Sequence, residues 1–111
     1  MKRGDLVTIA VSGDYGKPRP ALVIQADAFA ILPSVTVLQL TSDIRDAPLI
    51  RITVEPSSGN GLRTSSQVMI DRAMTVRRAK VGPVFGQIDH ATMRVVKRAL
   101  TAFFDLDALA V

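Results

Sequence analysis

The sequence predicts a small, mainly β protein: a twisted antiparallel barrel of short strands followed by one amphipathic C-terminal helix. Five short apolar or alternating segments lie close together and are separated by turn-forming residues, which is typical of a small barrel. Helical spacing of the apolar residues begins only near the end of the chain. With 111 residues, of which 48% are apolar, the chain is long enough to form a single domain over residues 1–111 with its own core.

The five predicted strands follow one another at short intervals. Residues 5–11, DLVTIAV, mix β-branched and other apolar side chains and end at the turn formers of residues 12–16. Residues 20–26 contain the almost wholly apolar run ALVIQ, which indicates a strand buried on both faces, and a proline fits the start of such a strand. The remaining strands are predicted at residues 34–40, at residues 49–54, and at residues 66–70 continued by 74–76.

A helix is predicted after Asp89, because aspartate is a good N-cap. Apolar and basic side chains then recur at helical spacing on opposite sides, as Met93, Val96, Leu100 and Phe103 against Arg94, Lys97 and Arg98. The tail, residues 105–111, is compatible with a short helical turn or a frayed end.

Composition excludes several classes of function. With no cysteine and a single histidine, the chain cannot form disulfides, thiolate sites or clustered zinc ligands, so we expect no metal and no other cofactor. A net charge of +4 and a pI of about 10.1 favour an anionic partner such as nucleic acid or an acidic protein segment. No apolar run approaches the roughly 18 residues of a membrane span. The start, MKRGDLVTIAV, lacks a long apolar centre, so we expect a cytoplasmic protein.

Arg19 is the first candidate for a functional site. It stands between Pro18 and Pro20 at the start of a predicted strand, and both prolines restrict the backbone around it. A rigid, permanently charged and planar donor suits a phosphate group. The alternative is an ordinary surface arginine that pairs with Asp14 or Asp43.

Thr41 and Ser42 end the third predicted strand. Their hydroxyls either satisfy turn backbone or, if this strand lies beside the one that Arg19 begins, meet a phosphate in the same cleft. Asp71 follows the fifth strand and is either a turn residue or a carboxylate close to that cleft. His90, at the helix start, is more often a solvent-facing residue than a catalyst.

The run RAMTVRRAK at residues 72–80 carries four basic residues. Such a run is usually a solvated face, but together with Lys17 and Arg63 it could form a positive surface for a phosphodiester chain. Tyr15 lies in a predicted loop and could stack on a base. Phe103 and Phe104 are better explained as core or interface residues.

Four motifs occur in order along the chain: RGDLV at 3–7, GKPRPALVIQ at 16–25, QLTSD at 39–43 and GLRTSSQVMID at 61–71. Together they resemble the MazF/PemK family, the small ribonuclease toxins of bacterial toxin-antitoxin pairs. The resemblance implies an SH3-like barrel with a C-terminal helix that assembles as a homodimer. It also implies a metal-independent endoribonuclease that cleaves single-stranded RNA to a 2′,3′-cyclic phosphate, and a cognate antitoxin with an acidic, disordered segment.

The resemblance also implies roles for individual residues. Arg19 and Thr41 fall on the catalytic pair, with the guanidinium stabilising charge and donating a proton to the leaving 5′-oxygen. The general base stays open between Asp71 and a water. The resemblance places Ser42, Ser65, Gln67 and Asp71 at the RNA site. Tyr15 and Lys17, which the residues themselves suggest, complete the candidates for RNA binding.

Two other functions fit the same barrel. A CcdB-like toxin binds DNA gyrase without cutting RNA and would depend on residues 104–111 at the end of the chain. A catalytically inactive barrel would bind only nucleic acid or its antitoxin, and Met69 favours this alternative because some relatives have an arginine there.

Overall fold

A computed structural model describes residues 1–10 and 17–106. Six strands and one α-helix follow one another in the order β1 (Asp5–Ala10), β2 (Pro18–Val23), β3 (Ser34–Thr41), β4 (Arg51–Val54), β5 (Ser66–Arg77), β6 (Val81–Gln87) and α1 (His90–Phe103). Short 3-10 helices occupy Asp27–Phe29 and Arg78–Lys80. The prediction of a mainly β fold with a C-terminal helix is confirmed. No helix in the described part of the chain is both long enough and apolar enough to cross a membrane.

The strands form one antiparallel sheet in the order β4-β5-β3-β2-β1-β6. The sheet closes where β6 meets the segment that follows β4, since the Gln87 N–H donates to the Gly59 carbonyl at 2.9 Å. Beside this bond, a Cβ atom on Gly86 would lie 2.1 Å from the Asn60 carbonyl oxygen. Only glycine therefore permits this closure.

Three differences from the predicted strands concern their number and length. Residues 81–87 form β6, which the apolar pattern did not predict, so there are six strands and not five. The two halves of the fifth predicted strand are one continuous strand, with a register shift against β3 between Leu38 and Leu40. The second strand ends at Val23, before residue 26.

Both faces of the sheet are covered by buried side chains. One core cluster lies between the sheet and α1 and includes Leu6, Leu22, Leu38, Met93 and Val96. The second cluster comes from the alternate residues of the same strands and includes Val7, Ile9, Ala21, Val23, Val35 and Val37. The predicted burial on both faces is confirmed for Ala21 and Leu22, which are fully buried, and for Val23, which is 2% exposed. Ile24 and Gln25 follow the end of β2 and are only half-buried.

Helix α1 begins as the sequence predicts. The Asp89 carboxylate accepts the Thr92 N–H at 2.7 Å and caps the first turn. Met93 and Val96 are buried against the sheet, and Leu100 packs beside them. Phe103 does not join this core, because its side chain is 47% exposed.

Candidate nucleic-acid interface

Arg19 is the second residue of β2 and lies opposite Ile9 of β1. Its neighbours Pro18 and Pro20 lack an N–H, and the ladder between β2 and β3 starts only at Ala21, although β2 pairs with β1 from Pro18 onward. The exposed guanidinium therefore stands at a strand end where the backbone is fixed on one side by β1.

Thr41 is the last residue of β3 and is half-buried. Its Oγ1 accepts the Asp43 N–H at 3.1 Å, which tightens the turn that follows the strand. A hydroxyl can accept and donate at the same time, so this bond leaves the Thr41 proton for a phosphate oxygen.

The strand register places Arg19 and Thr41 on one face of the sheet. Ala21 lies opposite Gln39 in the β2–β3 ladder. Arg19 is two residues before Ala21, and Thr41 is two residues after Gln39. Since side chains alternate along a strand, both side chains point to the same face at the same end of the two strands. The structure thus brings the predicted catalytic pair together.

The same row of side chains continues across β5 and β4. Thr41 lies opposite Gln67, which in turn lies opposite Thr53. The next pair on this face is Met69 and Arg51, which is half-buried. Arg51 therefore stands opposite Met69 on this face, although the sequence of β5 offers no arginine at that position. The pattern of the sequence did not indicate Arg51, because the register of β4 against β5 brings it to this face.

Gln67 anchors the loop that follows Thr41. The side chain is 3% exposed, and its Nε2 donates to the Arg45 carbonyl at 3.0 Å and to Thr53 Oγ1 at 3.1 Å. Its Oε1 accepts the Arg45 N–H at 3.0 Å. Both amide hydrogens are therefore used inside the protein, so Gln67 fixes the position of Arg45.

The loop that Gln67 holds presents polar side chains beside Thr41. Ser42 is exposed immediately after β3. The Arg45 guanidinium donates to Asp43 Oδ2 at 2.9 Å, in an ion pair whose two side chains are each 67% exposed. A surface pair of this kind is weak, so Arg45 can exchange its carboxylate partner for a phosphate at little cost.

Asp71 lies in β5 beside the shift in register with β3. The residue is half-buried, and its Oδ1 is buried without a hydrogen-bond partner in the described residues. Leaving a buried carboxylate oxygen unpaired costs free energy, so a hydrogen-bond donor that reaches this atom is favoured.

The other predicted positions lie at the rim of this face or elsewhere. Lys17 is exposed just before β2. Ser65 precedes β5 and donates its hydroxyl to the Glu55 carboxylate. Tyr15 lies outside the described residues. His90 is exposed in the first turn of α1 and lines a depression together with Thr53 and Val54 at the end of β4.

The basic run at residues 72–80 is divided by its contacts. Arg78 donates from Nε to the Leu32 carbonyl at 2.6 Å and from a terminal nitrogen to the Ala30 carbonyl at 2.8 Å. It therefore fixes the loop between β2 and β3. Arg72, Arg77 and Lys80 are exposed.

Solved structures with the same fold are MazF toxins. The Mycobacterium tuberculosis toxin MazF-mt6 superposes with a TM-score of 0.79 at 24% identity, over 93% of this chain and 98% of that one. A mycobacterial endoribonuclease in complex with its cognate antitoxin gives 0.81 at 22% identity, over 96% of both chains. A MazE-MazF complex from Deinococcus radiodurans gives 0.76 at 21% identity, over 94% of both chains.

Sequence comparison is more specific than these structural likenesses. The chain is 44% identical over 107 residues to the "Probable endoribonuclease MazF" of Mycolicibacterium smegmatis (strain ATCC 700084 / mc(2)155), which covers 96% of this chain and 98% of the relative. Residues 2–104 match the family described as PemK-like, MazF-like toxin of type II toxin-antitoxin system. The chain therefore belongs to the PemK-like and MazF-like family of toxins from type II toxin-antitoxin systems.

Proposed function

We propose that the protein is the toxin of a type II pair and a metal-independent, sequence-selective endoribonuclease that cuts single-stranded messenger RNA in the cytoplasm and so inhibits translation. The observation that carries this proposal is the shared face of Arg19 and Thr41 at the adjoining ends of β2 and β3. The identity of 44% to a relative named as an endoribonuclease supports the same class of reaction.

The reaction needs little chemistry from the protein, because RNA carries its own nucleophile. The 2′-oxygen attacks the adjacent phosphorus, the bond from phosphorus to the 5′-oxygen breaks, and the products end in a 2′,3′-cyclic phosphate and a 5′-hydroxyl. A general base takes the proton of the 2′-hydroxyl, and an acid supplies one to the leaving 5′-oxygen. The protein has to orient these atoms and stabilise the charge on the phosphorane.

We assign the positive charge to Arg19, whose fork of donors matches the phosphate oxygens and whose backbone is held by two prolines. The Thr41 hydroxyl donates to a second phosphate oxygen. Asp71, whose Oδ1 has no described partner, or a water takes the proton of the 2′-hydroxyl. Arg51 places a second guanidinium on the same face and compensates for Met69, which argues against an inactive barrel.

We further propose a homodimer and an acidic antitoxin. Helix α1 and the residues that follow it leave several apolar residues 45% to 63% exposed: Val95, Phe103, Phe104 and Leu106. Phe103 and Phe104 already contact each other edge to face with ring centroids 5.2 Å apart, and a second copy would cover them. The net charge of +4 suits an acidic segment that folds on binding, and related MazF proteins are seen in complex with MazE.

The proposed reaction is tested by incubating the purified protein with a long, mixed-sequence RNA in excess EDTA and mapping the fragment ends. We expect discrete cuts that leave cyclic phosphate, and we expect Arg19→Ala to abolish them while the fold is kept. Arg19→Lys keeps the charge but loses the planar fork, so it should restore only part of the activity. An Arg19→Ala protein that cleaves at the parent rate would contradict the assignment.

The same experiment separates the alternatives. A gyrase-binding toxin would leave the RNA intact and inhibit DNA gyrase, and its sensitive positions would lie at residues 104–111. A binding-only barrel would retain RNA or antitoxin without cutting either.

A further inference from the structure

A second basic surface lies far from Arg19 and Thr41. The first turns of α1 and the N-terminal segment form the two walls of an open groove of about 500 Å³. Its cations are Lys2 and Arg3 on one wall and Arg94 and Lys97 on the other. We call the groove between these four residues the helix groove. A more open depression continues it along α1; this depression shares Arg94 and Lys97 and adds Arg98 and the carboxylate of Asp105.

The positive charge of the helix groove is poorly compensated. Asp27 is its one carboxylate among the lining residues that the structure describes, and the Oδ1 of Asp27 accepts the backbone N–H of Arg3 at 2.8 Å. None of the four cations forms an ion pair with another residue of the ranges 1–10 and 17–106. Like charges on two facing walls repel one another, so an anion between them is favoured.

The groove lies on the opposite face and at the opposite end from the proposed cleavage site. The Gly4 N–H donates to the Val23 carbonyl at 2.8 Å, and Val23 ends the strand in which Arg19 is second. Four residues of extended strand separate the two, which is roughly 13 Å. Helix α1 also packs on the face of Leu22, whereas Arg19 belongs to the alternate face. A ligand that fills only the cleavage site cannot reach the groove.

The chemistry of the lining favours a phosphodiester chain over an acidic peptide. A peptide that folds on binding needs an apolar socket for its anchor residues. The apolar floor of the groove, Ile88 and Met93, is only 8% exposed at each residue and offers no such socket. A phosphodiester chain needs only cations and enough open space for its backbone, and the groove provides both.

We propose that the helix groove is a second RNA-binding site, which holds the sugar-phosphate backbone of a long RNA at a distance from the cut. This inference rests on the proposed ribonuclease function. The groove binds RNA without regard to base sequence and raises the affinity only for substrates long enough to reach it. It therefore favours long or folded RNA over short fragments.

The test compares two charge-matched double variants, each losing one arginine and one lysine. Arg94→Gln/Lys97→Gln removes one wall of the groove at exposed helical positions, where glutamine is a good helix former. Arg77→Gln/Lys80→Gln removes the same charge from exposed residues that line neither the groove nor its continuation. Binding is measured over a range of salt concentrations with 2′-O-methyl RNA, which has no free nucleophile, as a short oligonucleotide and as a long strand.

We expect the groove variant to lose affinity for the long strand on the order of tenfold at low salt, with a log–log salt slope less steep by about 1.4 for two lost contacts. Its affinity for the short oligonucleotide should equal that of the parent. The proposal would be overturned if the groove variant bound the long strand with the affinity and salt slope of the parent. It would also be overturned if the charge-matched control lost as much affinity for the long strand as the groove variant does. Poly-glutamate serves as a probe for an acidic peptide. If the groove variant loses affinity for poly-glutamate but not for the long RNA, the groove binds an acidic peptide and the proposal is overturned.

Failure of the proposed function gives a different result. In that case the parent itself neither cuts natural RNA nor binds the short oligonucleotide. If the parent cuts RNA and the groove variant binds the long strand as the parent does, the cleavage site stands and only the second site is wrong.

Discussion

Gln67 links the core of the barrel to the loop beside Thr41, because both hydrogens of its buried amide are used by the protein. Replacement by leucine keeps much of the volume but leaves the Arg45 N–H and carbonyl without these partners. We expect Gln67→Leu to lower the free energy of unfolding by about 2 kcal/mol. Urea denaturation monitored by circular dichroism measures this change.

Glutamate at the same position tests the two donated bonds directly. Gln67→Glu keeps an oxygen for the Arg45 N–H but buries a carboxylate against the Arg45 carbonyl, so it should destabilise the protein at least as much as Gln67→Leu. Parent-like stability in the leucine variant would show that the loop is held by other contacts.

Thr41 is expected to act through its hydroxyl proton and not through its shape. Thr41→Val is nearly isosteric, so we expect the fold to persist and kcat/KM on a fluorogenic RNA to fall about a hundredfold, as for the loss of one preorganised donor. Thr41→Ser keeps the donor and should retain most of the activity. Parent activity in the valine variant would remove Thr41 from the site.

The sequence indicates Arg19 and Thr41 as candidates because each stands beside a recognisable strand boundary. It does not identify Arg51 or the role of Gln67, because both depend on which residues face each other across β4 and β5. Arg45 is 22 residues from Gln67 along the chain. The two hydrogen bonds that join them involve the backbone N–H and carbonyl of Arg45, so they do not depend on the type of its side chain. A pattern of residue types therefore cannot predict such a contact.

At the scale of the elements, β1 to β5 and α1 follow from apolar periodicity, whereas β6 does not. Its sequence, VGPVFGQ, contains two glycines and a proline, which normally indicate a loop. The structure explains the glycines by close packing, since a Cβ atom on Gly82 would lie 2.2 Å from Thr8 Oγ1. β6 is also an edge strand, where proline is tolerated.

The start of α1 depends on the Asp89 cap. We expect Asp89→Ala to lower the Tm by about 5 °C, because the Thr92 N–H loses its acceptor. Asparagine also caps helices well, so Asp89→Asn should recover most of this loss. An unchanged Tm in the alanine variant would show that packing alone fixes the first turn.

The same cap predicts a dependence on pH. Hydrogen bonds from the Thr92 side chain and backbone lower the pKa of Asp89 below its ordinary value of 3.8. The stability supplied by the ionised carboxylate is therefore complete above that value and is lost as the pH falls through the lower, folded-state pKa. The Tm advantage of the parent over Asp89→Asn should disappear over this acidic range.

At the scale of the whole molecule, the exposed apolar end of α1 predicts the assembly. We expect a dimer at micromolar concentration in sedimentation velocity, and we expect Phe103→Asp/Leu106→Asp to yield monomers, because burying two carboxylates in an apolar interface is costly. Ile31→Asp, at a residue 93% exposed in the loop after β2, controls for the added charge. A monomeric parent would contradict the assembly.

The double-sided core has a consequence for hydrogen exchange. Strands β1 to β3 carry fully buried side chains on both faces, so their amides should exchange only through openings close to global unfolding. Arg19 and Thr41 are attached to the ends of these strands, whereas Ser42 is exposed just beyond β3 and its amide should exchange faster. We therefore expect the rigid strands to keep the spacing of Arg19 and Thr41, the proposed catalytic groups, while exposed residues beyond the strand ends exchange on faster timescales.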